Sequence, residues 1–525
     1  MGESSTDVVG TFWQAPVVSP GERIGAASTP DEPLVGPEGI DPVDALDTPT
    51  AGGRVIRGSA FRAGSYLTGV LLSVLSASLM IRHLGLTTWG RYVTVSSLLA
   101  IVTGLSEAGM SNLGVREYAT LGGPERKRLL QNLLGIRLTL TVIGIGVAAI
   151  FAAVASYPSV IALGVLVAGG GLLVMVVQQT AGIPLIGTLR FGWASVLEVL
   201  RQAATVALVV LLVVAGGGLL PFLAVPIPVG IALLLATLVL VGRDAPFMPR
   251  FGRTEWRKIT STTFAYVAAS AVGTIYVSVT VIVTSLVGTA KETGYYGASF
   301  RIFTVLGNVP LLIVGAAFPV LARAARDDRQ RLEYASARVW EMSLIVGAGV
   351  ALTLAAGARF AIDVVAGPGF GPAVPVLQIQ AAAILGSFLA VAFAYVLLSL
   401  HRHTALLVSN CLGLVLSLVL TLALVPSLGA KGAAIATTVG EFALAVAYFV
   451  ALRRAALRLP LRIVLPVGAA AGVAATLAFV PGLSGLALAA AVGAAYVVLL
   501  FAFRAVPPEV LEAFTALTRR DSKLA

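Results

Sequence analysis

The chain has 525 residues, 58% of them hydrophobic and only 12% charged, with a formal net charge of +11. Soluble domains carry about 25% charged residues, so a chain this long and apolar exceeds what soluble cores can shield, and lipid is its expected solvent. The positive charge is no nucleic-acid signal: residues 1–53 hold nine acids and one base, Arg23, and the other 35 bases, against 16 acids, fall mainly in short loops between apolar runs. Membrane topology accounts for such loops. The one cysteine, Cys411, excludes an intrachain disulfide and a Cys-based zinc site. No basic n-region with an apolar core opens the chain, so no signal peptide is expected. Residues 1–53, acidic and rich in Pro, Gly and Ser, read as a disordered cytoplasmic tail.

A span needs about 20 mostly apolar residues. In chain order such runs occupy 62–82, 91–110, 133–154, 160–181, 193–215 and 219–241, then 260–287, 296–320, 339–360, 374–399, 404–424, 431–451, 463–480 and 484–503. The fold class expected is an all-α integral membrane protein of about fourteen transmembrane helices. Alternate loops carry basic clusters: Arg126-Lys127-Arg128, then Arg250, Arg253, Arg257 and Lys258, then Arg453, Arg454, Arg458 and Arg462. The intervening loops 155–159, 216–218 and 481–483 hold no Lys or Arg. The positive-inside rule therefore places both termini in the cytoplasm of a multi-pass plasma (inner) membrane protein.

The architecture reads as duplicated. Gly90-Arg91-Tyr92 opens the second span and Gly294-Tyr295-Tyr296 the eighth, each followed by a basic loop. The expected organisation is an N-lobe over 54–241 and a C-lobe over 242–455, related by a pseudo-two-fold along the membrane normal, as in transporters that rock two lobes. A helix pair over 456–506 and a cytoplasmic tail over 507–525 follow.

No Walker-type phosphate loop is present, and no His/Cys/carboxylate cluster has metal spacing. His401 and His403 flank Arg402 in a tight loop and read as solvated rather than ligating. No cofactor is expected. Outer loops are short, which disfavours a membrane glycosyl transferase, polymerase or ligase.

Several stretches together resemble a known family. They are Arg82-His83-Leu84-Gly85 with Trp89-Gly90-Arg91-Tyr92, Glu107-Ala108-Gly109 with Val115-Arg116-Glu117, and Gly294 through Ile302 followed by Phe318-Pro319. Pro426 through Ala436 completes the set in family order. The chain is identified by this resemblance with the polysaccharide (Wzx-type) flippase branch of the multidrug/oligosaccharidyl-lipid/polysaccharide (MOP) exporters. The resemblance implies transport, without hydrolysis, of a polyprenyl-diphosphate-linked oligosaccharide from inner to outer leaflet by alternating access. Membrane lipids, and glycosyltransferases or a polymerase of the same pathway, are the partners it suggests; nucleic acid is not among them.

Ionisable groups inside spans are costly and so are candidates for function. Arg301, about five residues into the eighth span, offers bidentate donors to phosphate, and the lipid II flippase, a distant member, similarly has an arginine in this span; snorkelling or an ion pair is the bland alternative. Arg62, at the cytoplasmic start of the first span, is either a diphosphate contact or one more topological anchor. Glu198 and Arg201, three apart, pair on one helical face and either neutralise each other or line a polar wall. Glu441 lies near the middle of the twelfth span, a candidate coupling-ion carboxylate or a buried Glu bonded to Thr437 or Thr438. Glu107 is a second coupling candidate, with Asn112 or Arg116 as its expected partner. Gln178, Gln179, Tyr266 and Tyr276 are possible sugar contacts. Rival functions are a cation-coupled multidrug antiporter, which would prefer an acidic cavity, and a non-transporting scaffold for glycan assembly.

Overall fold

The computed structural model describes residues 51–107, 109–188, 190–242, 248–480 and 485–506, except the side chains of 51–63, 65–66, 191, 253–255, 258–267, 269–270, 327 and 479. The tails expected at 1–53 and 507–525 therefore lie almost wholly outside the described residues. Two units result: Met1–Ser59, described only as helical backbone from Ala51, and Ala60–Ala525, which holds the bundle.

All regular elements among the described residues are helices, because backbone amides in hydrocarbon must be satisfied within their own segment. The first seven are α1 (Ala51–Glu107), α2 (Met110–Thr120), α3 (Gly123–Val154), α4 (Ser159–Gly187), α5 (Phe191–Val214), α6 (Leu219–Ala224) and α7 (Pro226–Val241). Then follow α8 (Arg253–Val287), α9 (Ala290–Gly307), α10 (Val309–Asp327), α11 (Arg329–Ala356) and α12 (Ala358–Val365). The last are α13 (Ala373–Ser399), α14 (His403–Leu428), α15 (Ala430–Arg454), α16 (Val464–Ala475) and α17 (Gly485–Ala502).

Eleven described helices are long and apolar enough to cross a membrane, and two shorter apolar ones, Ala271–Val287 and Val464–Ala478, fall on expected spans. One of the eleven, Leu67–Thr120, covers 54 residues and takes in most of the first expected span, 62–82, and all of the second. Gly85, at φ 70°, ψ 174°, breaks it. The chain doubles back there. Arg301 of α9 bonds Ser73 before the break and lies within electrostatic reach of Tyr92 after it, whereas a continuous helix would separate those residues by about 28 Å. A side chain at Gly85 would meet open space, so its positive φ, costly for any L residue, is what requires glycine.

Other spans depart from single rods where proline stands. The sixth divides at Val225 into α6 and α7, with Pro226 in the first turn of α7; the eighth divides at Asn308 into α9 and α10, with Pro310 in the first turn of α10. Proline has no N–H to continue the preceding ladder but suits a helix start. The expected loop 111–132 is instead helical: α2, and the opening turns of α3 that carry Arg126-Lys127-Arg128.

Packing gathers α3, α5, α6 and α7 around α4, and α9, α10, α11 and α15 around α13; α16 and α17 pack on α11. Small residues allow the closest approaches. A Cβ on Gly171 of α4 would lie 2.7 Å from the Pro226 side chain, and one on Gly169 2.9 Å from Ile145. The second half of α1 crosses α9 where the two repeat motifs begin: a Cβ on Gly90 would stand 2.1 Å from the Ala290 carbonyl oxygen and 3.0 Å from the Gly294 nitrogen, and one on Gly294 would stand 2.3 Å from the Leu86 carbonyl oxygen. Near this end Arg82 donates to the carbonyls of Asp363 (2.8 Å) and Val364 (2.6 Å) at the end of α12. The outward faces are apolar, with Val154, Val214 and Val239 each about four-fifths exposed, as lipid-facing positions should be.

Because the obstruction at Gly294 is backbone, Gly294→Ala is expected to cost about 1–3 kcal/mol, read as a lower thermal midpoint in detergent. Gly146→Ala on α3, with nothing within 4 Å, is the control and should leave the midpoint unchanged.

Candidate functional site

Apolar spans carry few polar side chains, and one set of them follows a helical stripe. Tyr92, Ser96, Thr103 and Glu107 recur at steps of four, seven and four along the second half of α1, which places them on one face. That face lines a cavity of ≈ 550 Å³. Ala168, Leu172 and Met175 of α4 form a second wall, Phe222, Leu223 and Pro226 of α6 and α7 a third, and Thr274 of α8 closes against Gly104. From Tyr92 to Glu107 the cavity extends along about 22 Å of helix, most of a hydrocarbon core about 30 Å thick. The volume is that of a small-molecule site.

Glu107, the one charged residue among the described lining residues, is held from behind. Arg137 of α3 is 1% exposed and donates through Nη2 to Glu107 Oε2 and to Gln179 Oε1 at 2.7 Å. Its Nη1 donates to Thr180 at 3.1 Å and to Ser111 at 3.3 Å, while Nε is buried without a partner. One guanidinium thereby ties α1, α2, α3 and α4 together at the cavity end nearest the basic loops. Asn112 and Arg116, expected as partners of Glu107, are elsewhere: Asn112 is exposed and Arg116 pairs with Glu117 at 2.9 Å. Arg137 was not foreseen, although an arginine five residues into the third span is a sequence signal in its own right.

Arg301 lies at the opposite end. Its Nη2 donates to Ser73 Oγ at 2.5 Å and Ser73 O at 3.2 Å, Nε is buried without a partner, and no described carboxylate pairs with it. It is not itself among the described lining residues, but Tyr92, which is, lies within its electrostatic reach. Glu198 and Arg201 form the expected ion pair on α5, joined by Gln202 at 3.2 Å; both are substantially exposed and outside the cavity lining. The Arg62 side chain, like that of Tyr266, lies outside the described residues.

Glu441 belongs to a different place. On α15 it accepts from the Tyr276 hydroxyl of α8 at 3.2 Å, not from Thr437 or Thr438. Thr437 instead bonds Tyr296 at 2.7 Å, and Thr438 donates to Ile379 O at 3.0 Å. Glu441, Tyr276, Tyr296, Thr280, Ser417 and Thr437 enclose ≈ 20 Å³, room for one water-sized occupant. Gln178 and Gln179 are engaged by Thr237 and Arg137, so neither is a free sugar contact. Among the described residues no cluster of three or more His, Cys, Asp or Glu could hold a metal.

A family model described as "Polysaccharide biosynthesis protein" matches residues 55–325. No curated protein matches the sequence. Among solved structures the fold is similar to that of the lipid II flippase MurJ in an inward closed conformation, with TM-score 0.72 at 11% identity over 84% of this chain and 97% of that one. It is also similar to a multidrug resistance MATE family transporter of the MOP superfamily, inward-facing (TM-score 0.61, 15% identity, 74% and 95% coverage). An outward-facing form gives TM-score 0.54 at 16% identity over 76% and 96%.

Arg137→Ala strands Glu107 without its cation and is expected to destabilise by about 3–5 kcal/mol. Arg201→Ala, which breaks a largely exposed pair, should cost less than about 1 kcal/mol. Unfolding midpoints of the two variants in detergent test the contrast.

Proposed function

The chain belongs to the polysaccharide biosynthesis protein family and has the fold of the MOP-superfamily transporters, and from that premise we propose that it is a flippase for polyprenyl-diphosphate-linked oligosaccharide. The observation that carries this reading is the placement of Arg301. A guanidinium in a span, bonded among the described residues to one serine, stands within electrostatic reach of Tyr92 in the wall of a cavity of ≈ 550 Å³ that carries the hydroxyls of Tyr92, Ser96, Thr103 and Thr274. An unpaired cation in hydrocarbon is costly, and a diphosphate supplies the bidentate acceptor that guanidinium geometry suits. The cavity then takes the glycan, whose hydroxyls would find no partners in lipid.

Alternating access would open the crossing of α1 with α9 at Gly90 and Gly294, and free Arg82 from the end of α12. Arg62 stands at the start of the first span, where it meets a diphosphate arriving in the inner leaflet, and the Glu198–Arg201 pair keeps a polar flank on α5. Of the two carboxylates, Glu441 suits ion coupling. Its partners are hydroxyls, and the space beside it admits one proton-carrying water or one small cation. Glu107 is already neutralised by Arg137. By the positive-inside rule the basic loops and both termini face the cytoplasm of the plasma membrane, where glycosyltransferases would deliver the lipid-linked glycan. The protein carries this lipid without catalysing a reaction. The antiporter alternative is the weaker reading, because the family model that matches the chain is one of polysaccharide biosynthesis.

In proteoliposomes the wild type should move a short oligosaccharide on polyprenyl diphosphate across the bilayer, and Arg301→Ala should lower the rate at least about 100-fold, the loss of roughly 3 kcal/mol of charge-assisted hydrogen bonding. Glu441→Gln should still exchange the lipid between leaflets but lose its stimulation by a proton or sodium gradient.

A further inference from the structure

We infer that the Glu107–Arg137 pair makes the cavity selective for uncharged glycans, with Glu107 as the acceptor for sugar hydroxyls. The inference rests on the flippase reading and names the chemistry of its cargo.

Among the described residues the cavity presents one carboxylate, the hydroxyls of Ser96, Thr103 and Thr274, the phenol of Tyr92, and otherwise apolar side chains. Glu107 has two oxygens with different work. Oε2 is taken by Arg137, and Oε1 makes no hydrogen bond among the described residues. The side chain is 36% exposed while Arg137 is 1% exposed. The cation therefore lies behind the carboxylate, and a molecule in the cavity meets negative oxygen first. Arg137 has no spare donor to offer: both terminal nitrogens are bonded to Glu107, Gln179, Thr180 and Ser111, and the remaining Nε is sealed from the cavity.

A carboxylate acceptor beside hydroxyls suits the vicinal O–H donors of a neutral sugar, because hydrogen bonds to a charged group are the stronger kind. A uronic acid in the same place would bring two carboxylates together with no free cation among the described lining residues, and like charges so juxtaposed repel. Arg301 does not relieve this, since it stands at the Tyr92 end, about 22 Å of helix away, where the diphosphate is held.

Arg137 is a positioning residue here, and its role separates from scaffolding by a change in preference rather than in amount of activity. The probes are a glucose trisaccharide and a galacturonate trisaccharide on the same polyprenyl diphosphate. Binding to the detergent-purified full chain is read by tryptophan fluorescence, and translocation is read separately in proteoliposomes. Wild type is expected to bind the neutral probe at least tenfold more tightly than the acidic one. Glu107→Gln, which exposes the Arg137 charge, should reverse or erase that ratio. Should an unpaired arginine unfold this variant, the double variant Glu107→Gln/Arg137→Gln keeps the amide geometry without either charge and should bring the ratio near one. Equal or tighter binding of the acidic probe by wild type overturns the inference, as does a ratio unmoved in the folded variants. Neutral-selective binding without translocation of either lipid would support the cavity chemistry and overturn the flippase reading, so the two failures are distinct.

Discussion

Hydrocarbon offers no partner to a polar group, and every charge this bundle buries must be answered by the protein or by its cargo. The Glu107–Arg137 pair is the clearest answer. One guanidinium, 1% exposed, satisfies a carboxylate, an amide and two hydroxyls from neighbouring elements. Without it, the polar face of α1 would have no anchored end, and the wall between α1 and α4 would lack its polar tie. The pair also leaves one carboxylate oxygen turned to the cavity. A structural demand and a chemical opportunity meet in the same residue.

The charges are answered differently at the other two sites, and that difference divides the labour. Arg301 has a serine but no described carboxylate, and in the proposed function its charge is answered by the diphosphate. Glu441 has Tyr276 and an enclosed ≈ 20 Å³ between α8, α9, α14 and α15, and in the proposed function it takes up a proton or a small cation. The three charged groups Glu107, Arg301 and Glu441 stand on α1, α9 and α15, and in the proposed cycle substrate and coupling ion act at different places in the bundle.

Much of the frame was legible because apolar runs and basic loops report directly on lipid burial. Gly85, Pro226 and Pro310 show the limit of that signal, since hydropathy does not register where a span divides. The meeting of Gly90 with Gly294 was half visible: the sequence marks both motifs as openings of corresponding spans, but only the packed helices bring them together. The cavity was misjudged more seriously. Arg301, Glu441 and Arg137 are all ionisable groups inside apolar runs, but only the first two stand out as isolated there, and Glu107, expected to pair with Asn112 or Arg116, has its partner Arg137 on another helix. The stripe Tyr92, Ser96, Thr103, Glu107 was readable as a polar face on an apolar span. Gln178, Gln179 and Tyr276 could not have been placed, because their partners Thr237, Arg137 and Glu441 lie on other helices.

The claim at the centre of this account is that lipid-linked glycan occupies the cavity along α1. Thr103→Cys, in a chain whose Cys411 is replaced by serine, puts one thiol on that wall. The account predicts that a membrane-impermeant thiol reagent labels it, and that saturating oligosaccharide on polyprenyl diphosphate slows labelling at least about tenfold while polyprenyl phosphate alone does not. Labelling at the same rate with and without the glycan lipid would contradict it.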